Sequence, residues 1–134
     1  MVGDAYLTVF IALVTGYLLG SIPTAYLLTR WKTGRDIRQL GGGNVGGLNT
    51  FKAVSKPLAV AVVITDLAKG AAVILVTYFL FKFDRPYIVL SALAAVAGHN
   101  WMAWLKFSGG KGMGPTIGTM AVMLPVYHYY WQLA

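Results

Sequence analysis

The sequence contains no cysteine and no glutamate, and it carries little charge. The absence of cysteine excludes a disulfide framework, thiolate zinc and a cysteine nucleophile. Four aspartates and two histidines supply a metal site poorly and offer no paired carboxylates for glycosidase chemistry, so we predict no metal and no cofactor. Charged residues make up 11% of the 134 residues, against about 25% in ordinary soluble domains. Because 57% of the residues are hydrophobic, we predict a protein of the lipid bilayer.

Long apolar stretches dominate what is present. They cover residues 5–29, 57–81, 86–105 and 112–134. A helix that crosses a bilayer needs about 20 apolar residues, so each stretch is long enough. We therefore predict an all-α fold: a polytopic helical membrane protein with about four transmembrane helices in one membrane domain over residues 1–134. Pro23 predicts a kink or a helix end near Ser21, inside the first stretch. That stretch is unlike a signal peptide, because Asp4 precedes it and its apolar part is long.

The distribution of positive charge predicts the orientation. The net charge is +7, and most basic residues lie in residues 30–56 and in the turn that holds Lys106 and Lys111. The positive-inside rule places both connections in the cytoplasm and the N-terminus outside. Because membrane topology explains this charge, we predict no nucleic-acid partner.

A glycine-rich segment lies in the long basic connection. Five of the nine residues from Gly41 to Asn49 are glycine, and such a backbone can aim several N–H groups at one anion. Asn44 and Asn49 add side-chain donors, whereas Arg38 and Lys52 add positive charge. The pattern favours a phosphate site over the alternative, a flexible surface loop with helix caps at its ends.

A second glycine-rich segment, residues 107–112, precedes the last apolar stretch. A helix that begins there offers free N–H groups and its positive dipole end, and Lys111 adds a full charge. Gly112 follows Lys111 where a Walker motif has Ser or Thr. The segment indicates an anion site, and the alternative is a glycine turn with a snorkelling lysine.

Three polar residues interrupt the apolar stretches. Asp66 and Lys69 are three residues apart, which places them on one helix face as either a structural ion pair or the wall of a substrate site. His99, close to the second glycine segment, is either a base or phosphate donor or a helix-packing histidine.

In this order, the motifs resemble the bacterial acyl-phosphate:glycerol-3-phosphate acyltransferases of the inner membrane (PlsY). The shared pieces run from residue 20 to residue 118: Gly20-Ser21-Ile22-Pro23, Asp36-Ile37-Arg38, Gly41 through Asn49, Asp66 with Lys69-Gly70, Gly98-His99, Phe107 with Gly109-Gly110-Lys111-Gly112, and Gly118. The family has Ser at the position of Gly42 and Arg at that of Lys52. Its members are longer and carry further C-terminal helices with a third motif, so we expect a truncated or divergent member.

The resemblance implies that a fatty acyl group moves from acyl phosphate to the 1-hydroxyl of glycerol 3-phosphate, giving lysophosphatidic acid for phospholipid synthesis. His99 and Lys111 are the expected catalytic residues. The expected substrate-binding residues form two groups around the two phosphates, with Asp66 orienting Lys69: Arg38, Gly43, Asn44, Asn49 and Lys52 in one, and Lys69, Gly109, Gly110 and Gly112 in the other. An alternative needs no protein base, because the phosphate of the donor can accept the proton. Two anionic substrates must lie side by side, so both glycine segments must meet at one face of the bilayer.

The resemblance also implies a multi-pass protein of the bacterial inner membrane, with its active face in the cytoplasm and membrane lipid as a further partner. Two alternatives stay open. Polar residues in apolar helices also suit a small transporter or binding protein for anionic solutes. Gly16 and Gly20 form a small-xxx-small pattern, which suits an inactive remnant that packs against a partner or a homo-oligomer.

Overall fold

The computed structural model describes residues 2–133, and within them it contains no β-strand. Six α-helices account for most of the chain: α1 (Val2–Gly20), α2 (Thr24–Thr33), α3 (Gly47–Ala53), α4 (Lys56–Leu75), α5 (Arg85–Asn100) and α6 (Met113–Leu133). Short 3₁₀ turns cover Ile37–Gln39 and Ala103–Leu105, and a π-helical turn at Val76–Leu80 extends α4. The all-α prediction is confirmed.

The first apolar stretch is broken where the proline predicts. α1 ends at Gly20 and α2 begins at Thr24, directly after Pro23. Proline has no N–H to donate to a preceding helical turn, which favours a new helix start there. The third stretch departs from the prediction, because α5 ends at Asn100 and not at residue 105. An antiparallel bridge between Met102 and Ser108 replaces the last helical turn.

Two stretches of helix among residues 2–133 are long and apolar enough to cross a membrane: Gly3–Thr33 and Lys56–Leu80. The other two predicted segments form α5 and α6, and their membrane crossing stays a prediction. Large apolar side chains lie exposed on the outer surfaces of these helices, as Phe10, Ile64 and Leu93 illustrate. This arrangement is typical of helices that face lipid rather than water.

Helices α1 and α5 approach each other through glycine. Gly16 lies against the backbone of Ser91, and Gly20 lies against the backbone of Ala95. In α5, Gly98 lies against the carbonyl of Tyr17 in α1. The small-residue pattern of α1 therefore serves association within one chain, and it gives no separate argument for a homo-oligomer.

Replacing Gly20 with alanine is expected to destabilise the protein by about 1–3 kcal/mol, because overpacking forces the two helices apart. A Cβ at this position would overlap the carbonyl group of Ala95. Gly3 is the matched control, because it belongs to the same helix and a Cβ there meets nothing within 4 Å. Unfolding of both variants in detergent micelles measures the difference. Equal stability of Gly20→Ala and Gly3→Ala would contradict the packing.

A hydrophobic cluster supports the basic end of the molecule. Its buried members come from α2, the long connection, α4 and the α5–α6 connection: Ala25, Ile37, Leu40, Val45, Val62, Met102 and Leu105. A second cluster of Ile74, Ile88 and Ala92 lies near the opposite ends of α4 and α5. The first cluster holds both glycine segments on one scaffold.

Candidate functional site

The two glycine segments meet directly. The N–H of Val45, in the first segment, donates a 3.1 Å hydrogen bond to the carbonyl oxygen of Gly109, in the second. The N–H of Gly110 then donates to the carbonyl of His99 at 3.0 Å. These bonds bring residues 41–49 and 107–112 to the same end of the helices, as two adjacent anionic substrates require.

Asn49 organises the backbone of the first segment. Its Oδ1 accepts from the N–H of Gly42 at 3.1 Å, and its Nδ2 donates to the carbonyls of Leu40 and Asn44 at 3.0 Å each. Gly41 and Gly43 adopt φ values of +54° and +74°, a region that glycine enters without strain. The Asn49 side chain is therefore occupied within the loop, so it shapes the segment instead of presenting a free amide.

Arg38 braces the connection before this segment. It forms an ion pair with Asp36, donates from Nη1 to the carbonyl of Leu105 at 3.1 Å, and lies 5.6 Å from the ring centroid of Tyr26. The side-chain hydrogen bond from Arg38 holds the pKa of Asp36 below its usual value. Asp36 therefore stays ionised to lower pH in the folded protein, and its contribution to stability is lost only when the pH falls through that lowered pKa.

The remaining cations lie at the surface of the site. Lys52, in the last turn of α3, and Lys111, before α6, are both exposed. Gly112, with a φ of +76°, turns the chain into α6. A Cβ on Gly112 would lie 2.8 Å from Oδ1 of Asn100, an oxygen that has no hydrogen-bond partner within residues 2–133. Gly43 and Asn44, in the first segment, are partly buried.

A buried polar cluster lies beneath the second segment. Lys69 Nζ lies 2.9 Å from Oδ1 of Asp66 and donates to the carbonyl of Ile22 at the same distance. Thr24 Oγ1 donates to the same carboxylate oxygen of Asp66 at 2.7 Å. Asp66 and Lys69 are only 5% and 6% exposed, so the pair is held inside the protein rather than at its surface. The expected contact of Asp66 with Lys69 is present.

His99 connects this cluster to the glycine turn. Its Nδ1 lies 3.7 Å from Oδ1 of Asp66 and has no hydrogen-bond partner within residues 2–133. Its Nε2 faces Gly110, where any Cβ would overlap the ring. Glycine at position 110 is therefore required for the imidazole to reach the turn. The sequence analysis did not identify Thr24 as part of this cluster. Its signal in the sequence is a hydroxyl group next to the break that Pro23 introduces into an apolar stretch.

Comparison with known proteins finds relatives of this chain. The family model described as glycerol-3-phosphate acyltransferase matches residues 10–133. Glycerol-3-phosphate acyltransferase 1 of Dehalococcoides mccartyi is 57% identical over 116 residues, which cover 87% of this chain and 56% of that protein. A glycerol-3-phosphate acyltransferase of a Synechococcus strain is 43% identical over 117 residues, covering 87% of this chain and 58% of that protein.

Solved structures give the same match. The crystal structure of PlsY, an integral membrane glycerol 3-phosphate acyltransferase, in its glycerol 3-phosphate form is 32% identical with a TM-score of 0.76. The match covers 92% of this chain and 62% of that one. The lysophosphatidic acid form gives 29% identity and a TM-score of 0.72, with 92% and 61% covered. The chain thus spans little more than half the length of these relatives.

Proposed function

The chain belongs to the glycerol-3-phosphate acyltransferase family, and from that premise we propose that it takes part in acyl transfer from an acyl phosphate to the 1-hydroxyl of glycerol 3-phosphate. The products are lysophosphatidic acid and inorganic phosphate, used in phospholipid synthesis. The observation that carries the proposal is the Val45–Gly109 hydrogen bond, which joins the two glycine segments of a helical membrane protein. The crystal forms with glycerol 3-phosphate and lysophosphatidic acid support the substrate and the product.

Each segment serves one phosphate in this proposal. Lys111, with the N–H group of Gly112 and the close backbone of Gly109, stabilises negative charge at the second segment, whereas the N–H of Gly110 is already bonded to the carbonyl of His99. The loop of Gly43 and Asn44, shaped by Asn49, serves the other phosphate. Lys52 lowers the repulsion between two anions held at reacting distance, about 3–3.5 Å between the reacting atoms, whereas Arg38 is paired with Asp36 and braces the loop.

The chemical step is a substitution at the acyl carbon. The 1-hydroxyl oxygen of glycerol 3-phosphate forms a bond to that carbon, the bond from carbon to the phosphate oxygen breaks, and phosphate leaves with the electron pair. His99 Nε2, beside Gly110, accepts the hydroxyl proton. On the other side of the imidazole ring, Nδ1 faces the carboxylate of Asp66, which is paired with Lys69. Asn100 Oδ1 can accept a hydrogen bond from a hydroxyl group of glycerol 3-phosphate. In the alternative, the departing phosphate itself takes the proton.

The lipid environment fits the position of the site. Trp101, Trp104 and Phe107 are exposed on the connection between α5 and α6, beside Lys106. Aromatic rings with lysine are typical of the membrane–water interface, so we place the site there, with membrane lipid around it. The acyl chain then lies among the apolar helices while the phosphates stay in water. The family points to the bacterial inner membrane, and the positive charge of this end supports a cytoplasmic active face.

Reconstitution of the protein in bilayers tests the proposal. We expect lysophosphatidic acid from glycerol 3-phosphate with an acyl phosphate donor, and none with an acyl thioester. Lys111→Met is expected to reduce kcat/KM by about tenfold to a hundredfold, because it removes a cation that stabilises the negative charge of the transition state. Lys82→Met, in the α4–α5 connection, is the matched control. Uptake of glycerol 3-phosphate without product would favour a transporter, and a folded protein with neither activity would favour a packing remnant.

A further inference from the structure

We propose that Thr24 is a positioning residue, whose hydroxyl holds the Asp66 carboxylate in the orientation that Lys69 and His99 require. This inference rests on the proposed function, because it concerns how the imidazole of His99 is aimed at the second glycine segment. Thr24 itself lies at the start of α2, and its hydroxyl bonds to Asp66 rather than to either glycine segment.

The break between the helices is tied to the buried cluster at two points. Thr24 Oγ1 donates to Asp66 Oδ1 at 2.7 Å, and Lys69 Nζ donates to the carbonyl of Ile22 at 2.9 Å. This carbonyl lies at the break, outside both helices, and it accepts from the N–H of Thr24 at 3.0 Å as well as from Lys69. The Thr24 hydroxyl thus donates to one member of the ion pair, and the Ile22 carbonyl accepts from the other. Together these bonds fix α4 against the break.

One carboxylate oxygen serves three groups. Asp66 Oδ1 accepts from Thr24, pairs with Lys69 at 2.9 Å, and faces His99 Nδ1 at 3.7 Å. A carboxylate oxygen has about two lone-pair directions, and the two short contacts occupy them. The hydroxyl therefore holds this oxygen at a fixed distance from the imidazole, and its removal frees a lone pair for His99.

The side chain of Thr24 has no competing structural duty in the described structure. It does not cap α2, because Pro23 holds the cap position and makes no side-chain cap hydrogen bond. Valine has nearly the shape of threonine, so Thr24→Val removes the hydroxyl with little change in volume. Thr24→Ser keeps the hydroxyl and loses only a methyl group. The pair separates the hydrogen bond from packing.

Thr77→Val is the matched control. Thr77 is buried, whereas Thr24 is partly buried, and the Thr77 hydroxyl donates to the carbonyl of Val73 within its own helix, near the opposite end of α4. All variants are compared with the parent protein in micelles by two measurements. One is the kinetics of acyl transfer with varied glycerol 3-phosphate. The other is the imidazole ¹⁵N spectrum of histidine-labelled protein, which has two histidines; His128→Gln assigns their signals.

We expect Thr24→Val to shift the His99 ring signals and to reduce kcat about tenfold with little change in KM, because a hydrogen bond to a charged group is lost away from the phosphate sites. Thr24→Ser and Thr77→Val should resemble the parent in both measurements. A Thr24→Val protein with unshifted His99 signals would overturn the inference, as would equal loss in Thr24→Ser. If the parent makes no product, the proposed function fails, and the shifted His99 signals still test the positioning role.

Discussion

Replacing Lys69 with methionine is expected to reduce the free energy of unfolding by about 3–5 kcal/mol. The substitution keeps most of the side-chain volume but leaves the carboxylate of Asp66 buried without its cation, and an uncompensated buried charge is among the most costly defects in a protein. It also removes the bond from Nζ to the carbonyl of Ile22 at the break between α1 and α2. Reversible unfolding in mixed micelles, monitored by circular dichroism, measures the loss.

A double-mutant cycle identifies the origin of that loss. The pair Asp66→Asn and Lys69→Met together removes both charges, so we expect the double variant to be more stable than Lys69→Met alone. Lys106→Met is the matched control, because Lys106 is exposed on the α5–α6 connection. A Lys69→Met protein that is as stable as Lys106→Met would show that Asp66 needs no buried partner.

Replacing His99 with alanine is expected to reduce kcat by about 10²–10⁴, the usual contribution of a positioned general base. The imidazole is 3% exposed and bridges the Asp66–Lys69 pair and Gly110, so no other described side chain in this place offers the same proton acceptor. KM for glycerol 3-phosphate should change little, since Lys111 and the glycine segments hold the phosphate in our proposal. Steady-state kinetics in bilayers give both constants.

The control for this experiment is the second histidine. His128 is exposed near the end of α6 and lies next to Gln132, far along the chain from the glycine segments, so His128→Ala should retain parent activity. A decrease of less than tenfold for folded His99→Ala would contradict general-base catalysis by this residue. In that case the phosphate of the acyl donor takes the proton, and the protein contributes positioning and charge.

The helical elements could largely be predicted from sequence, because each depends on residues close together in the chain. The break at Pro23 and the span over Lys56–Leu80 follow from local composition. The end of α5 was missed. Residues 101–105 are apolar enough to continue a helix, but the Met102–Ser108 bridge and the left-handed turn at Lys106 and Phe107 end it, and these depend on contacts with the next segment.

The candidate site divides in the same way. The glycine segments and the Asp66–Lys69 pair were recognisable because their members are close in sequence. The roles of Asn49 and Arg38 could not be recognised from sequence, because the loop backbone and the Leu105 carbonyl occupy their hydrogen-bonding groups. Whether a polar side chain is free or already bonded depends on its neighbours in space.

The sequence by itself determined the helical membrane class, the two glycine-rich segments and the family, because hydropathy, charge and ordered motifs are properties of the chain. Only the tertiary structure decided that Val45 meets Gly109 and that Thr24, Asp66 and His99 form one buried cluster. Those contacts join residues from three helices, α2, α4 and α5, and from two connections. Such contacts depend on how the helices pack, as glycines such as Gly20 and Gly98 permit between α1 and α5, and spacing along the chain does not reveal that packing.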